Sequence, residues 1–332
     1  MQQVRQKEEN GMKGTGVRRP AAGRTRTARA GLALAAVLAG GLAAACSGPA
    51  ATDAAGKRPA ADPAHGRPAA AAGARAEDRG GAGALAAYVE KVRKAQAARA
   101  VAAKKWGLAK TPLPAPPPPK VKPKITTRKG FETDGEGLPP VFTTVPTKEK
   151  IVFLTIDDGA EKDPELLRMM SELRIPYSAF LSDYLVKEDY GYFRKMQDAG
   201  VALHNHTLNH RYMPGLSYAQ QKREICDQQA TLEKHYGKRP PLFRPPYGNY
   251  NENTLRAAQS CGVKAVPLWA AEAFPDRMEW REWDRDLHPG DIILTHFRGK
   301  EDWKGTMPDM IRRVMKTVTD KGYAVARLED YV

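Results

Sequence analysis

The sequence predicts a parallel α/β domain, folded as a small barrel, closed or incomplete, behind a long basic N-terminal stalk. Three observations predict it. Short apolar runs alternate with amphipathic segments from about Phe131 onward, the pattern of repeated strand–helix units over a parallel sheet. Seven such runs fall within residues 131–332, which suits a small barrel, with an open doubly wound sheet as the alternative. Third, the polar residues able to do chemistry stand where those runs end, and parallel strands bring their ends to one rim.

Charge separates the stalk from the domain. Residues 1–130 hold 25 Lys/Arg against 7 Asp/Glu, whereas residues 131–332 hold 28 against 31. A nucleic-acid enzyme carries its basic face on its folded part, so no nucleic-acid partner is expected. The basic tail suits an anionic membrane surface or wall polymer, or simply keeps a solvated linker soluble.

Residues 1–46 read as an export signal. Arg18, Arg19, Arg24, Arg26 and Arg29 precede an uncharged stretch from Ala30 to Ala45, short for a membrane span. It ends Leu42-Ala43-Ala44-Ala45-Cys46, which resembles a bacterial lipobox with Cys46 as the lipidated residue, although Ala43 stands where leucine is commoner. Ordinary signal cleavage and a retained anchor are the alternatives. The expected location is extracytoplasmic, lipid-anchored to the outer face of the cell membrane or associated with the wall. Cys226 and Cys261 are then a pair in an oxidising compartment and are expected to form a disulfide, with two buried thiols as the alternative.

Residues 47–82 are Ala/Gly/Pro/Arg-rich with few large apolar side chains, and are expected to be disordered. Residues 83–109 place Leu85, Val89, Val92, Ala95 and Ala102 near helical spacing among Lys and Arg, predicting a basic amphipathic helix, either a surface-contact spacer or a helix with no partner. Residues 110–130 form a linker whose Lys110–Lys124 stretch holds seven prolines, semi-rigid in character. The folded domain is expected over 131–332.

Within it, strands are expected at 151–155, 177–181, 201–204, 242–243, 264–268, 291–295 and 324–327. Helices are expected near 163–174, 189–199, 217–236, 251–261 and 307–321. Ser217 and Asn251 are plausible N-caps, and Gly200, Gly237, Gly262 and Gly322 plausible stops. No glycine-rich phosphate loop follows a strand, so no nucleotide cofactor is expected.

Asp157 and Asp158 end the first strand, and His206 and His210 follow the third. One carboxylate and two imidazoles with an open position are what a hydrolytic metal site needs. Spaced four apart, His206 and His210 are read as one helical turn, both rings facing one ion. Asp158, His206 and His210 are the expected ligands of Zn²⁺ or another divalent ion such as Co²⁺, leaving Asp157 as the base. Each feature has a dull reading: Asp157-Asp158-Gly159 as a strand-end turn, Arg244-Pro245-Pro246-Tyr247 as a stiff turn. Their convergence on one rim is the argument.

The same segments resemble the catalytic domain of the polysaccharide deacetylases, the NodB-like carbohydrate esterase family 4. Thr155-Ile156-Asp157-Asp158-Gly159 is similar to T-F-D-D-G, His206-Thr207-Leu208-Asn209-His210 to H-[ST]-x-x-H, Arg244-Pro245-Pro246-Tyr247 to R-x-P-[YF], and the strand ending Leu294-Thr295-His296 to L-x-H. The resemblance covers residues 148–332 in motif order. It implies a distorted (β/α)7 barrel and hydrolysis of N-acetyl groups on an amino-sugar polymer. It further implies Arg244 as the partner of Asp157, His296 as the proton donor (ordinary pKa near ~6.5) and a backbone N–H near Tyr247 for the oxyanion. Leu294 and Trp280 are expected to hold the acetyl methyl. The remaining motif, D-x-x-D-W, is altered. Glu272, Asp276 and Glu279 are all candidates for orienting His296, and the sequence leaves them open.

The expected substrate is cell-wall peptidoglycan at N-acetylglucosamine, with N-acetylmuramic acid left open, and the chain is expected to be monomeric. Deacetylation of chitin oligomers or O-acetylated xylan, and a non-catalytic wall-binding protein on the same fold, are the alternatives.

Overall fold

The computed structural model describes residues 74–332, with side-chain environments from residue 85. The expectations for residues 1–73, the signal segment and Cys46 among them, lie outside the described residues. Residues 76–332 form one compact unit.

The sheet is built around β2 (Ile151–Asp158), buried along its whole length because both faces are covered. Parallel to it run β3 (Ser178–Leu181), β4 (Ala202–Asn205), β8 (Ile292–His296) and β9 (Ala324–Ala326). The strand order is β4-β3-β2-β8, then β6 (Ala271–Ala273) and β7 (Met278–Trp280), with β9 also on β2. A second short pair, β1 (Val141–Phe142) with β5 (Val266–Pro267), completes the wall. Single bridges link it to the main sheet: Asn205 to Phe243, Leu242 to Ala265, and Thr144 to Asp291. The ring is thus closed in places by one bridge rather than a full ladder, the distorted barrel expected. Leu242–Phe243 takes part only through such bridges, and its expected strand is not a regular one.

Three strands escape the sequence pattern, the two-residue β1 and the β6–β7 pair. β6 (Ala271–Ala273) is parallel to β8, and β7 (Met278–Trp280) turns back antiparallel on β6. Neither has the long apolar run by which strands are recognised.

Helices cover the outside: α2 (Pro164–Leu173), the short α3 (Asp183–Val186), α4 (Tyr190–Asp198), α5 (Tyr218–Tyr236), α6 (Glu252–Ser260) and α7 (Met307–Asp320). Ser217 and Asn251 cap α5 and α6 with reciprocal capping boxes, each accepting from the N3 amide. The outer core is Val152, Leu154, Ile156, Ile293 and Phe297 packed under α2, α4 and α7. Cys226 on α5 and Cys261 at the end of α6 are joined as a disulfide, which in the chain-entropy account contributes about 3–4 kcal/mol.

The stalk differs from expectation at both ends. α1 runs Ala74–Lys105, so residues 74–82 are helical rather than disordered. Its C-terminal turn is not partnerless. Ala102, Ala103 and Trp106 are buried in the outer core, and Trp106 Nε1 donates to Glu172 at 2.7 Å. The proline-rich segment then lies along the barrel. Lys122 Nζ donates to the carbonyls of Glu329 and Val332, and Arg128 pairs with Glu282 at 2.5 Å. Among the described residues, no helix is long and apolar enough to cross a membrane.

Candidate active site

β2 ends on two carboxylates that the backbone sends in different directions. In the parallel ladder Asp157 lies opposite His296 on β8 and Phe180 on β3. Asp158 then takes φ 81°, a left-handed conformation that costs a non-glycine residue on the order of 1 kcal/mol. Gly159 follows at φ 99°, where a Cβ would meet Val186 Cγ1 at 2.5 Å; only glycine fits this turn.

The two histidines are not on a helix. His206 leaves the end of β4, and the chain loops through Thr207 (φ 71°) to His210 (φ 52°). The helical-turn expectation is therefore corrected: two left-handed residues bring the rings together, with centroids 4.9 Å apart. Buried polar side chains hold this loop. Asn205 accepts from the Thr207 amide, Glu224 accepts from the Asn209 amide and side chain, and Thr207 Oγ1 accepts from the His210 amide.

Asp158, His206 and His210 each present a ligand atom, all within 4.8 Å of one another. Asp158 Oδ1 lies 3.5 Å from His206 Nε2 and 3.2 Å from His210 Nε2, yet is buried with no hydrogen-bond donor. A buried carboxylate oxygen left without a donor is costly, and a cation would relieve it. His206 Nδ1 lies 2.7 Å from the Arg244 carbonyl; Nδ1–H donates there, which turns the Nε2 lone pair toward the cluster. The donor set, one oxygen and two imidazole nitrogens, suits Zn²⁺ or a similar divalent ion. Burial raises the Asp158 pKa, but His206 and His210 outweigh it and hold the carboxyl well below its usual range. Burial likewise opposes charge on His206, but Asp157 and Asp158 prevail and raise its pKa.

Arg244 is fully buried, among the largest side chains to be so in the described residues. Its Nη1 donates to Asp157 Oδ1 at 2.7 Å and to Thr155 Oγ1 at 2.9 Å, and its Nε to the Pro267 carbonyl at 2.8 Å. The guanidinium packs over Phe180, 4.3 Å from the ring centroid. Burial lowers its pKa, with Asp157 opposing. Asp157 is thus gripped from below while Oδ2 faces the cluster, 3.7 Å from His206 Nε2.

The structure separates the three acidic candidates beside His296. Glu272 on β6 is buried, its Oε1 3.5 Å from His296 Nδ1. Asp276 and Glu279 are exposed and pair with Arg277. Burial, then Glu279 and Asp157, push the Glu272 pKa up to about 8. Burial also lowers the His296 pKa, against Asp158 and Asp157, so the expectation of an unperturbed imidazole is corrected.

Leu294 is buried two residues before His296 on the same face of β8, paired with Glu272 and Thr155. Trp280 is not at the site. It pairs with Ala271, on the face away from Glu272, and packs against the outer core. A return strand in a hairpin had no signature from which that facing could be read. The aromatic ring beside His296 is Trp303, 6.2 Å away centroid to centroid and packed against Phe274. Tyr247, at φ 62°, sits 4.9 Å from the His210 ring and Tyr184 6.4 Å from it. Both rings are partly exposed at the mouth.

Sequence reasoning also missed Arg298. It follows His296 by two on the same strand exit, and its Nη2 donates to Asp158 Oδ2 at 2.7 Å. The rule that selected His296, polar residues just past a strand end, could have found it.

A parallel α/β barrel with an acid and two imidazoles at its C-terminal rim, flanked by an arginine-held carboxylate, is the arrangement that metal-assisted hydrolysis requires. The comparisons specify which. Residues 144–266 match the polysaccharide deacetylase family. The chain is 40% identical over 199 residues to the uncharacterized protein SCO4760 of Streptomyces coelicolor, covering 60% of this chain and 79% of that one. A peptidoglycan-N-acetylglucosamine deacetylase of Bacillus cereus is 26% identical over 210 residues, 59% of this chain and 92% of the relative. The crystal structure of the Bc1960 peptidoglycan N-acetylglucosamine deacetylase superposes with a TM-score of 0.51 at 21% identity, over 59% of this chain and 94% of that one, which shows the shared fold. This chain belongs to the polysaccharide deacetylase family.

Proposed function

We propose that this protein removes N-acetyl groups from cell-wall peptidoglycan at N-acetylglucosamine, as a metal-dependent hydrolase lipid-anchored through Cys46 outside the cell membrane. The observation that carries the chemistry is the placement of the Asp157–Arg244 pair and the Glu272–His296 pair around the Asp158–His206–His210 cluster. The wall is supported by the export signal, the basic stalk and the named activity of the Bacillus cereus relative.

Asp158, His206 and His210 would hold the ion. When bound, a divalent ion supplies Lewis acidity, polarising the acetamide carbonyl and lowering the pKa of water at its open position toward ~7. Asp157 removes the proton as water attacks the acetyl carbon. Arg244 fixes the carboxylate's direction and supplies its counter-charge. The Tyr247 backbone N–H stabilises the developing oxyanion. His296 gives a proton to the sugar nitrogen as the C–N bond breaks, and the carboxyl proton of the released acid passes to the amine, leaving acetate and an ammonium group. The proton taken by Asp157 balances the one delivered. A lowered pKa makes protonated His296 a stronger acid, and Glu272 orients it through Nδ1. Leu294 and Trp303 wall the space for the acetyl methyl. Tyr184 and Tyr247 offer ring faces to the sugar at the mouth.

Acetate release from peptidoglycan fragments, chitin oligomers and acetylated xylan by metal-loaded protein tests this reading. Release from peptidoglycan fragments above the others supports it. Release from chitin oligomers or xylan alone moves the substrate, and release from none leaves a glycan-binding protein on a hydrolase fold.

A further inference from the structure

The geometry points to a second ligand site on the opposite side of the barrel, a cleft for one anionic membrane lipid between the stalk and the N-terminal ends of the strands. The cleft measures about 820 Å³. Ile175, Pro176 and Tyr177 line it immediately before β3, and Gly200 and Val201 immediately before β4. The catalytic residues leave the other ends of these strands. Arg99 of α1 and the segment around Leu113 close the outer side.

The walls are apolar and the rim is cationic. Leu113, Leu167, Met170 and Ile175 supply carbon surface, while Arg99, Arg168, Arg174, Lys195 and Arg327 surround it. Two of these cations are already paired, Arg168 with Glu165 and Arg327 with Glu329. Glu172, the acid of the lining, is taken by Lys105 and Trp106. Arg99, Arg174 and Lys195 have no carboxylate partner among the described residues. Arg99 Nε is buried without a hydrogen-bond acceptor. Burial, and then the like charge of Arg174, disfavour the cation at Arg99. Arg174 and Lys195 are exposed at the rim and Arg99 is half-buried, so three cations without a carboxylate stand over an apolar trough, an arrangement that suits an anion with a hydrocarbon body.

That chemistry selects the occupant. A polar wall polymer would leave the trough unfilled. The chain's own residues 1–73 carry eleven Lys/Arg against four Asp/Glu, the wrong sign for the rim. A phospholipid with a phosphate headgroup and acyl chains matches both parts. Seated there, it would turn the catalytic rim away from the membrane and toward the wall. The inference does not depend on which glycan is hydrolysed.

The test uses the full chain and short-chain dihexanoyl phosphatidylglycerol below its micelle concentration, titrated calorimetrically. Dihexanoyl phosphatidylcholine and inorganic phosphate are the comparisons. Arg99→Gln/Arg174→Gln is set against Lys57→Gln/Arg58→Gln, which removes the same charge from the tail. The expected result is saturable binding of one phosphatidylglycerol per chain, weakened tenfold or more by the Arg99/Arg174 change and unaltered by the tail change. Phosphatidylcholine and phosphate bind at least tenfold more weakly. Acetate release from peptidoglycan fragments, measured in parallel, is unchanged in both variants. Equal losses in the two variants would reduce the effect to diffuse tail charge and overturn the proposal. So would phosphate binding as tightly as the lipid, or the absence of saturable binding.

Discussion

Arg298 Nη2 donates to Asp158 Oδ2 at 2.7 Å, on the same carboxylate whose other oxygen faces the two imidazoles. One oxygen is committed to a fixed cation and the other is left to the cluster. The carboxylate is thereby set to ligate through Oδ1 alone, and a divalent ion there has a guanidinium for a neighbour. Burial opposes charge on Arg298, but Asp158 raises its pKa above the usual arginine value. Like charges this close repel even at a screened dielectric. Arg298→Gln is therefore expected to bind Zn²⁺ more tightly, by about tenfold, in competition with a chromophoric chelator. Weaker binding would show that Arg298 serves mainly to hold Asp158 in place.

Asp157 touches the cluster without being one of its three ligand groups. Asp157→Asn keeps the shape and the contact to Arg244 Nη1 while removing the basicity. Metal content by atomic absorption should stay near one ion per chain, while acetate release falls by about 10²–10⁴-fold. Loss of metal together with activity would move Asp157 from base to ligand.

β2 and β8 were legible because each is a buried apolar run ending in polar residues, and β3 and β4 because each is a short segment with apolar residues just before a polar strand exit. The metal cluster was legible for the same reason. What was not legible depends on the β6–β7 hairpin. Ala271–Ala273 is too short and too bland to read as a strand, so Glu272, though nearest the expected distance from the preceding strand, stayed one of three candidates until the ladder set it inward beside Leu294. The same hairpin turns Trp280 outward. Trp303 lies on a loop with no periodicity to place it. The docking of Trp106 on Glu172 spans 66 residues, and a Pro-rich composition says only that such a segment is stiff.

Glu272 supplies a pH test. Its folded pKa is pushed up to about 8 by burial, against an ordinary value of 4.5. Between those values the unfolded chain loses the proton and the folded chain keeps it. Stability therefore falls as pH rises through that window, by on the order of 5 kcal/mol at the limit. Glu272→Gln cannot ionise and lacks this slope. Urea unfolding at pH 5, 6.5 and 8 should show the variant gaining on the wild type as pH rises. A constant difference would mean that Glu272 is ionised in the folded protein.

The opposite sign is expected at the C-terminus. Glu329 Oε1 accepts from Ser178 Oγ at 2.6 Å and lies 2.8 Å from His204 Nε2, both partners buried. Burial opposes the charge, but these bonds prevail and hold the Glu329 pKa at about 2. A depressed folded pKa contributes stability above the unfolded value of 4.5 and loses it as pH falls toward 2. The contribution is on the order of 3 kcal/mol at the limit. The Glu329 and Val332 carbonyls also accept from Lys122, so this corner clamps the proline-rich segment to the barrel. In Glu329→Gln the midpoint of acid unfolding should shift toward neutral pH, and protease cleavage between residues 110 and 130 should begin at a higher pH than in the wild type. An unchanged acid midpoint would place the stabilising charge elsewhere, whereas an unchanged cleavage profile would separate the clamp from the buried pair.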